Sequence, residues 1–258
     1  MVTENFEELT ILNTRFHKLT VCQLIDYIVI SANVEKKTIV SNVNVYAMNL
    51  AYELPWFQDF LNSSDLVFCD GFSTLFGAKL LGYSVQSVHR MTCPDYIENL
   101  VLACEKQEVS LFLLAGKPGV VDKAITKLTS IAPKIRIQGH HGYFEKSGAE
   151  NDLIIQKINE FKPGILYVGL GMPLQEKWIL DNINRIEARV FFPLGACLDF
   201  YTGSVTRAPR LLTNIGLEGL TRVVMEPQRL WKRFLIGYPL FLYRVLRQRI
   251  GGGVTTKL

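Results

Sequence analysis

Six short apolar runs, each closed by turn residues, set the architecture open to this chain. They are Thr38–Val43, Asp65–Cys69, Ser110–Ala115, Ile135–Gly139, Ile165–Gly169 and Ala188–Leu194, and each has about the length of a buried strand. The longer segments between them carry helical spacing. In Asp95–Glu105, for example, Tyr96, Ile97, Leu100, Val101 and Cys104 fall on one face. Strands alternating with helices predict an α/β fold with a parallel sheet covered by helices on both faces. In such a sheet the ligand sits beyond the carboxyl ends of the strands.

The loops at those ends are rich in polar groups and glycine. In chain order they read Ser41-Asn42-Val43-Asn44, Asp70-Gly71-Phe72-Ser73, Gly116-Lys117-Pro118-Gly119, Gly139-His140-His141-Gly142-Tyr143-Phe144, Gly169-Leu170-Gly171-Met172-Pro173-Leu174-Gln175-Glu176, and Gly195-Ala196-Cys197-Leu198-Asp199-Phe200. Polar side chains and glycines collected at one end of every strand are the layout of a substrate cleft. The sheet is Rossmann-like, but neither GxGxxG nor GxxxxGK[ST] occurs, so neither a dinucleotide fingerprint nor a P-loop is supported.

The 258 residues suffice for one large core, or a core with an appendage. The start of the chain, MVTENFEELTILNTRF, has no basic segment followed by an apolar run, so a secretory signal is not expected. No uninterrupted apolar run reaches about 18 residues, and no membrane-spanning helix is expected. The five cysteines, Cys22, Cys69, Cys93, Cys104 and Cys197, form no CxxC pair. They are expected to be reduced thiols of a cytoplasmic protein. Clustered Cys or His ligands are absent, so no zinc site is expected.

The last fifth of the chain differs in character. Arg207, Arg210, Arg222, Arg229, Lys232, Arg233, Arg244, Arg247 and Arg249 are opposed only by Glu218 and Glu226, whereas the whole chain carries a net charge of +4. Large apolar residues from Leu230 to Leu246 are interleaved with these cations. A basic, amphipathic helical segment of this kind suits an anionic membrane surface. The interleaved apolar content is too high for an exposed nucleic-acid footprint, so no nucleic acid is expected as partner. The chain therefore divides into an α/β catalytic domain, 1–204, and a membrane-associating appendage, 205–258. Its apolar face requires cover by membrane, by detergent or by another subunit, and a homo-oligomer is one such arrangement.

Several loop residues read two ways. Asp70, at a strand end, is placed to serve as a base or to cap a helix and form a turn. Gly116-Lys117-Pro118-Gly119 suits either phosphate at a helix start or a tight strand-to-helix turn. His140 and His141 suit backbone hydrogen bonding better than shared metal ligation. Tyr143 can stack on a base or simply pack. Gln175 and Glu176 fall in the first turn after Met172 and Pro173, as cleft groups or as helix-start chemistry. Arg207 and Arg210, soon after Asp199, suit a diphosphate, which guanidinium groups bind well.

Taken together, the loops resemble the WecB/TagA/CpsF family of glycosyltransferases, glycosyltransferase family 26. The likeness spans about Thr38 to Phe234. It rests on Asn44, the Asp70-Gly71 pair, Arg90-Met91-Thr92 with Asp95, LFLLAGKPG at 111–119, HHGYF at 140–144, VGLGMPLQEKW at 168–178, TGSVTRAPR at 202–210 and LEGLTRVVMEPQRLWKRFL at 217–235, all in one order.

The resemblance implies an inverting, metal-independent transfer of a sugar from a UDP donor to a polyprenyl-diphosphate-linked acceptor in surface-polysaccharide synthesis. No cofactor is implied. The sugar would be N-acetylmannosamine, its uronic acid or another hexose. The enzyme would sit peripherally at the cytoplasmic face of the plasma membrane. By the same likeness Asp70 is the general base, Asn42 helps to orient it, and Asn44, Arg90 and Gln175 line the sugar and acceptor pocket. Tyr143, Gly171 and Asp199 lie near the nucleotide, and Arg207, Arg210, Arg222 and Arg233 close over the diphosphate. Thr92, Asp95, Gly116, His141, Gly142, Gly169, Met172, Pro173 and Glu176 complete the expected substrate contacts.

Three positions depart from the family pattern. Asn42 stands where many members have Thr, Cys93 where they have Gly, and Gly195-Ala196-Cys197-Leu198 replaces a glycine-rich run. Two other classes of function compete. A nicotinamide-dependent oxidoreductase would want the missing glycine fingerprint and an acidic ribose anchor. A non-catalytic membrane adaptor would not need both Asp70 and the arginine set.

Overall fold

The computed structural model describes residues 6–206 and 227–251. All six apolar runs form strands, trimmed by a residue or two at some ends: β3 (Thr38–Val43), β4 (Leu66–Cys69), β5 (Leu111–Ala115), β6 (Ile137–His140), β7 (Ile165–Gly169) and β8 (Val190–Pro193). They make one sheet in the order β4-β3-β8-β7-β5-β6, with every pairing parallel. Alternate residues of each strand enter two separate cores. Leu111, Leu113, Ile165, Tyr167, Val190 and Phe192 face one, whereas Phe112, Leu114, Leu166, Val168 and Phe191 face the other. A sheet buried on both faces explains why the runs read as continuously apolar.

One core is covered by α1 (Val21–Ala32), α5 (Cys93–Lys106), α6 (Val120–Ile131) and α9 (Cys197–Tyr201). The other is covered by α2 (Val45–Glu53), α3 (Pro55–Ser63), α4 (Phe72–Leu80), α7 (Gly148–Phe161) and α8 (Leu174–Asn182). Local chemistry sets where the helices begin. Thr20 and Gln23 form a reciprocal capping box on α1. Pro55 and Pro94 stand in the first turns of α3 and α5, where the missing N–H has no partner to lose.

An element that the sequence pattern did not announce precedes the sheet. β1 (Glu7–Ile11) and β2 (Thr14–Lys18) form an antiparallel hairpin. Its two turn residues, Leu12 and Asn13, have φ of 52° and 60°, a left-handed pair that normally signals itself by Asn-Gly. The hairpin covers the β4 edge. His17 Nδ1 accepts from the Val67 N–H at 3.0 Å, and Arg15 donates to the Asn62 and Ser64 carbonyls. Edge N–H groups covered in this way cannot recruit another strand.

The expectation of five free thiols is corrected. Cys22, Cys69 and Cys104 are free, but Cys93 and Cys197 form a disulfide. They are 104 residues apart in sequence, so no local spacing announces the pair. Packing of α5 on α9 brings their first residues together, with Cα atoms 5.8 Å apart.

The C-terminal segment supplies α10 (Pro227–Leu235) and α11 (Gly237–Ile250). Its apolar residues divide into two groups. Phe241 and Val245 are buried in the core beneath α2 and α4, and the Phe241 ring lies so close to Gly77 that a Cβ there would sit 2.7 Å from it. Arg244 donates to Asn49 Oδ1 at 2.9 Å and Glu53 at 2.8 Å, while Gln248 Oε1 accepts from the Leu12 N–H at 2.9 Å. By contrast, Trp231, Leu235, Ile236, Tyr243, Leu246 and Ile250 are exposed. Among the described residues no helix is long and apolar enough to cross a membrane. Because Phe241 is the anchor of this docking, Phe241→Ala is expected to destabilise the fold by about 3 kcal/mol, read as a lower denaturation midpoint in urea.

Candidate active site

The loops that leave the carboxyl ends of the sheet enclose a cavity of about 1460 Å³, closed on one side by α10. Strands β3 and β4 build one half of the sheet and β5 and β6 the other, so their loops diverge over the space between. Of the residues singled out from sequence, Asn42, Asn44, Asp70, Arg90, Thr92, Gly116, Gly142, Tyr143, Gly169, Gly171, Met172, Asp199 and Arg233 line this cavity.

Asp70 leaves β4 with its N–H bonded to the Val43 carbonyl at 2.8 Å, which fixes the β3 and β4 ends to each other. Its Oδ1 accepts from Thr92 Oγ1 at 3.2 Å. The next residue, Gly71, has a φ of 132°, a conformation closed to most side chains. This turn aims α4 away while Asp70 stays at the cavity. Asn44 caps α2, its Oδ1 accepting from the Ala47 N–H at 3.0 Å. The same oxygen accepts from Arg233 Nη2 at 3.4 Å, so a residue of α10 reaches the first loop of the sheet. Asn42 is buried, and its Nδ2 donates to the Pro193 carbonyl at 2.7 Å. It ties β3 to β8.

Two aromatic residues escaped the sequence reading. Phe72 lies 4.5 Å beneath the Arg90 guanidinium, and Tyr46 lies 4.3 Å beneath that of Arg233. Each ring orients a cation at the cavity wall. Each also stands two residues after a strand-end polar group, Asp70 or Asn44, and that position was the available signal. Lys117, Lys146 and Lys232 add further cations to the lining. Lys146 donates to the carbonyls of Gly142 and Phe144, and partial burial lowers its pKa.

Other expected contacts are placed elsewhere. Gln175 and Glu176 are fully buried and do not line the cavity. Gln175 instead joins two of its loops: Oε1 accepts from the Gly171 N–H at 3.2 Å and the Gly195 N–H at 3.0 Å. Gly169, where these loops converge, admits no side chain, because a Cβ would lie 2.6 Å from the Gly195 carbonyl oxygen and from Ala115 Cβ. Pro173, behind the cis Met172–Pro173 bond, also stands outside the lining. So do His141, whose ring lies tilted beside that of His140, and Asp95, which pairs with Arg90 at 4.0 Å. Helix-start packing took Gln175 and Glu176, which sit buried in the first turn of α8. Arg207, Arg210 and Arg222 lie outside the described residues. Among the described residues no group of three or more His, Cys, Asp or Glu side chains is placed to hold a metal ion.

A parallel sheet with its polar loops turned to a single cavity is the scaffold of a ligand-binding α/β protein. The sequence profile of the Glycosyl transferase WecG/TagA/CpsF family matches residues 9–254, and the chain belongs to that family of glycosyltransferases. It is 25% identical over 249 residues to the N-acetylglucosaminyldiphosphoundecaprenol N-acetyl-beta-D-mannosaminyltransferase of Staphylococcus aureus strain MW2, with 95% of this chain and 94% of the relative covered. The protein of the same name from strain MRSA252 is 24% identical over 249 residues.

Glu176 is a buried carboxyl beside Gln175. Its Oε1 accepts from Gln175 Nε2 at 2.8 Å, its other oxygen has no partner, and burial pushes its pKa up to about 7. A carboxyl whose folded pKa is raised binds more protons folded than unfolded, so its contribution falls as pH rises from about 4.5 through about 7. Relative to Glu176→Gln, the unaltered protein is expected to lose up to about 3 kcal/mol between pH 5 and 8. Paired chemical denaturations across that range measure it.

Proposed function

We propose that this protein transfers a sugar, N-acetylmannosamine or a close analogue, from a UDP donor to a saccharide carried on polyprenyl diphosphate. The observation that carries the reading is Asp70, held by Thr92 at a strand end in a cavity that also presents Arg90, Lys117 and Arg233. At about 1460 Å³ the space exceeds that of an ordinary single-ligand pocket, as donor and acceptor together require. The choice of sugar and lipid carrier follows the names of the Staphylococcus aureus relatives.

In the proposed reaction the Asp70 carboxylate accepts the proton of the acceptor hydroxyl as its oxygen attacks the anomeric carbon. The bond to UDP breaks on the opposite face, which inverts that centre. Thr92 holds the carboxylate in place, and Asn42 holds β3 against β8 beneath it. Negative charge grows on the departing diphosphate, and guanidinium and ammonium groups already at the wall stabilise it without a bound metal. Arg233 is the best placed of these from the C-terminal segment, since Asn44 and Tyr46 fix it on both sides.

The exposed apolar residues of α10 and α11, with their neighbouring arginines, suit the headgroup region of an anionic bilayer. The enzyme then works peripherally at the cytoplasmic face, where nucleotide sugars and the lipid diphosphate meet.

Asp70→Asn is expected to lower transfer ~100- to 10,000-fold while UDP affinity stays within about twofold. Turnover of UDP-N-acetylmannosamine with a short-chain lipid-linked N-acetylglucosamine, beside calorimetric titration of UDP, checks both; unchanged turnover removes Asp70 from the role. For the membrane contact, Leu235→Glu with Ile236→Glu is expected to weaken co-sedimentation with anionic vesicles by about tenfold while leaving the fold intact, since both side chains are exposed.

A further inference from the structure

The pocket wall holds a sulfur pair that sugar transfer does not use. Cys93 is the first residue of α5 and Cys197 the first of α9, and both line the cavity. Their bond joins two segments that carry site groups. Thr92, the donor to Asp70, immediately precedes Cys93, and Asp199 follows Cys197 on the first turn of α9. In the sheet, β3 lies between β4 and β8; β8 leads into α9, and the segment before α5 returns to the end of β4, where the Met91 N–H donates to the Cys69 carbonyl at 2.9 Å. The link therefore ties together segments on either side of β3, whose Asn42 shares the cavity lining with both cysteines. Cys93 and Cys197 are themselves mostly buried and meet solvent only through the cavity; of the remaining thiols, Cys69 and Cys104 are buried away from it, which pushes both thiols up, and Cys22 is exposed on α1, outside the cavity lining.

A compartment that supplies nucleotide sugars keeps thiols reduced, and a disulfide found there serves catalysis or redox sensing more often than permanent support. We propose that Cys93 and Cys197 form a reversible thiol–disulfide modification site in the pocket wall, whose redox partners are glutathione-class disulfides and thiols and whose state tunes donor binding. The effect on donor binding and the reducing surroundings both rest on the sugar-transfer reading of the cavity; the placement of the two sulfurs in its wall does not.

Oxidation begins when one cysteine thiolate attacks the external disulfide, forming a mixed disulfide and releasing one external thiol. The second cysteine sulfur then displaces the other external thiol. Two electrons pass from the cysteine pair to the external disulfide, and the two cysteine protons end on the two released thiols. Reduction reverses these steps. Reduction removes the covalent tie between the starts of α5 and α9. That releases the segments carrying Thr92 and Asp199 from each other.

The test equilibrates the full chain in glutathione buffers of graded thiol-to-disulfide ratio. Samples are alkylated and mapped without reduction to read the 93–197 link, and donor KM is measured in each buffer. The link and KM are expected to titrate with one midpoint, the reduced form having a KM ~5-fold or more higher. Cys22→Ser should titrate as the unaltered chain does, and Cys93→Ser with Cys197→Ser should give one KM at every ratio. Free, alkylated Cys93 and Cys197 at the oxidising end overturn the proposal, as does a link that titrates while KM stays constant. Should the double variant fail to fold, the titration of the unaltered chain decides alone. A link that titrates in a protein showing no transfer at any ratio supports the modification site and overturns the sugar-transfer reading instead.

Discussion

A sheet covered on both faces governs most of this molecule. The strands inside the β6 edge are packed by apolar side chains on both sides, so a polar side chain within them has nowhere to go unless it is bonded inside, whereas on β6 Gln138 is exposed. Asn42 meets that demand with the Pro193 carbonyl and Ser41 with Ser64. Other polar groups are displaced to the strand ends, where the chain must turn and backbone N–H groups are free. Gln175 shows the cost of crowding there: one buried amide oxygen serves two loop N–H groups, because leaving either unpaired would cost about 1–3 kcal/mol. The cavity is thus a consequence of burial as much as of chemistry.

That constraint also decides what could be read in advance. The strands were legible because a doubly buried strand is apolar throughout, and all six runs became strands. The cleft-lining loops were legible because glycine and polar residues have few other reasons to cluster after every strand. Failure came where a residue's fate depended on partners remote in sequence. Gln175 and Glu176 look like cleft residues in any reading of the GLGMPLQE segment, yet the first turn of α8 rotates both inward. The Cys93–Cys197 bond requires knowing that α5 packs on α9. The hairpin required a left-handed turn at Leu12, a residue that gives no warning of one.

The departures from the family pattern acquire a physical meaning in the same way. A glycine replaced by Cys93 and a glycine-rich run broken by Cys197 could have been two independent losses of space. In this chain the two sulfurs share a common volume between helix starts. The added bulk is directed at its partner, and the backbone freedom that glycine would give is traded for a covalent constraint on the wall of the cavity.

The C-terminal segment joins its exposed apolar surface to the site through α2. Asn49, on that helix, donates to the Gly237 carbonyl at 2.7 Å and accepts from Arg244 at 2.9 Å, while Asn44, its cap, accepts from Arg233 at 3.4 Å. The start and middle of one nine-residue helix are therefore held by three groups from α10 and α11. Phe241 and Val245 lock α11 into the core, which leaves the exposed residues of both helices on a rigid mount. Substrate carried in a lipid layer and a cleft that must receive it can share one frame only if some element is bonded to both, and α2 with its two C-terminal partners has the contacts to do so.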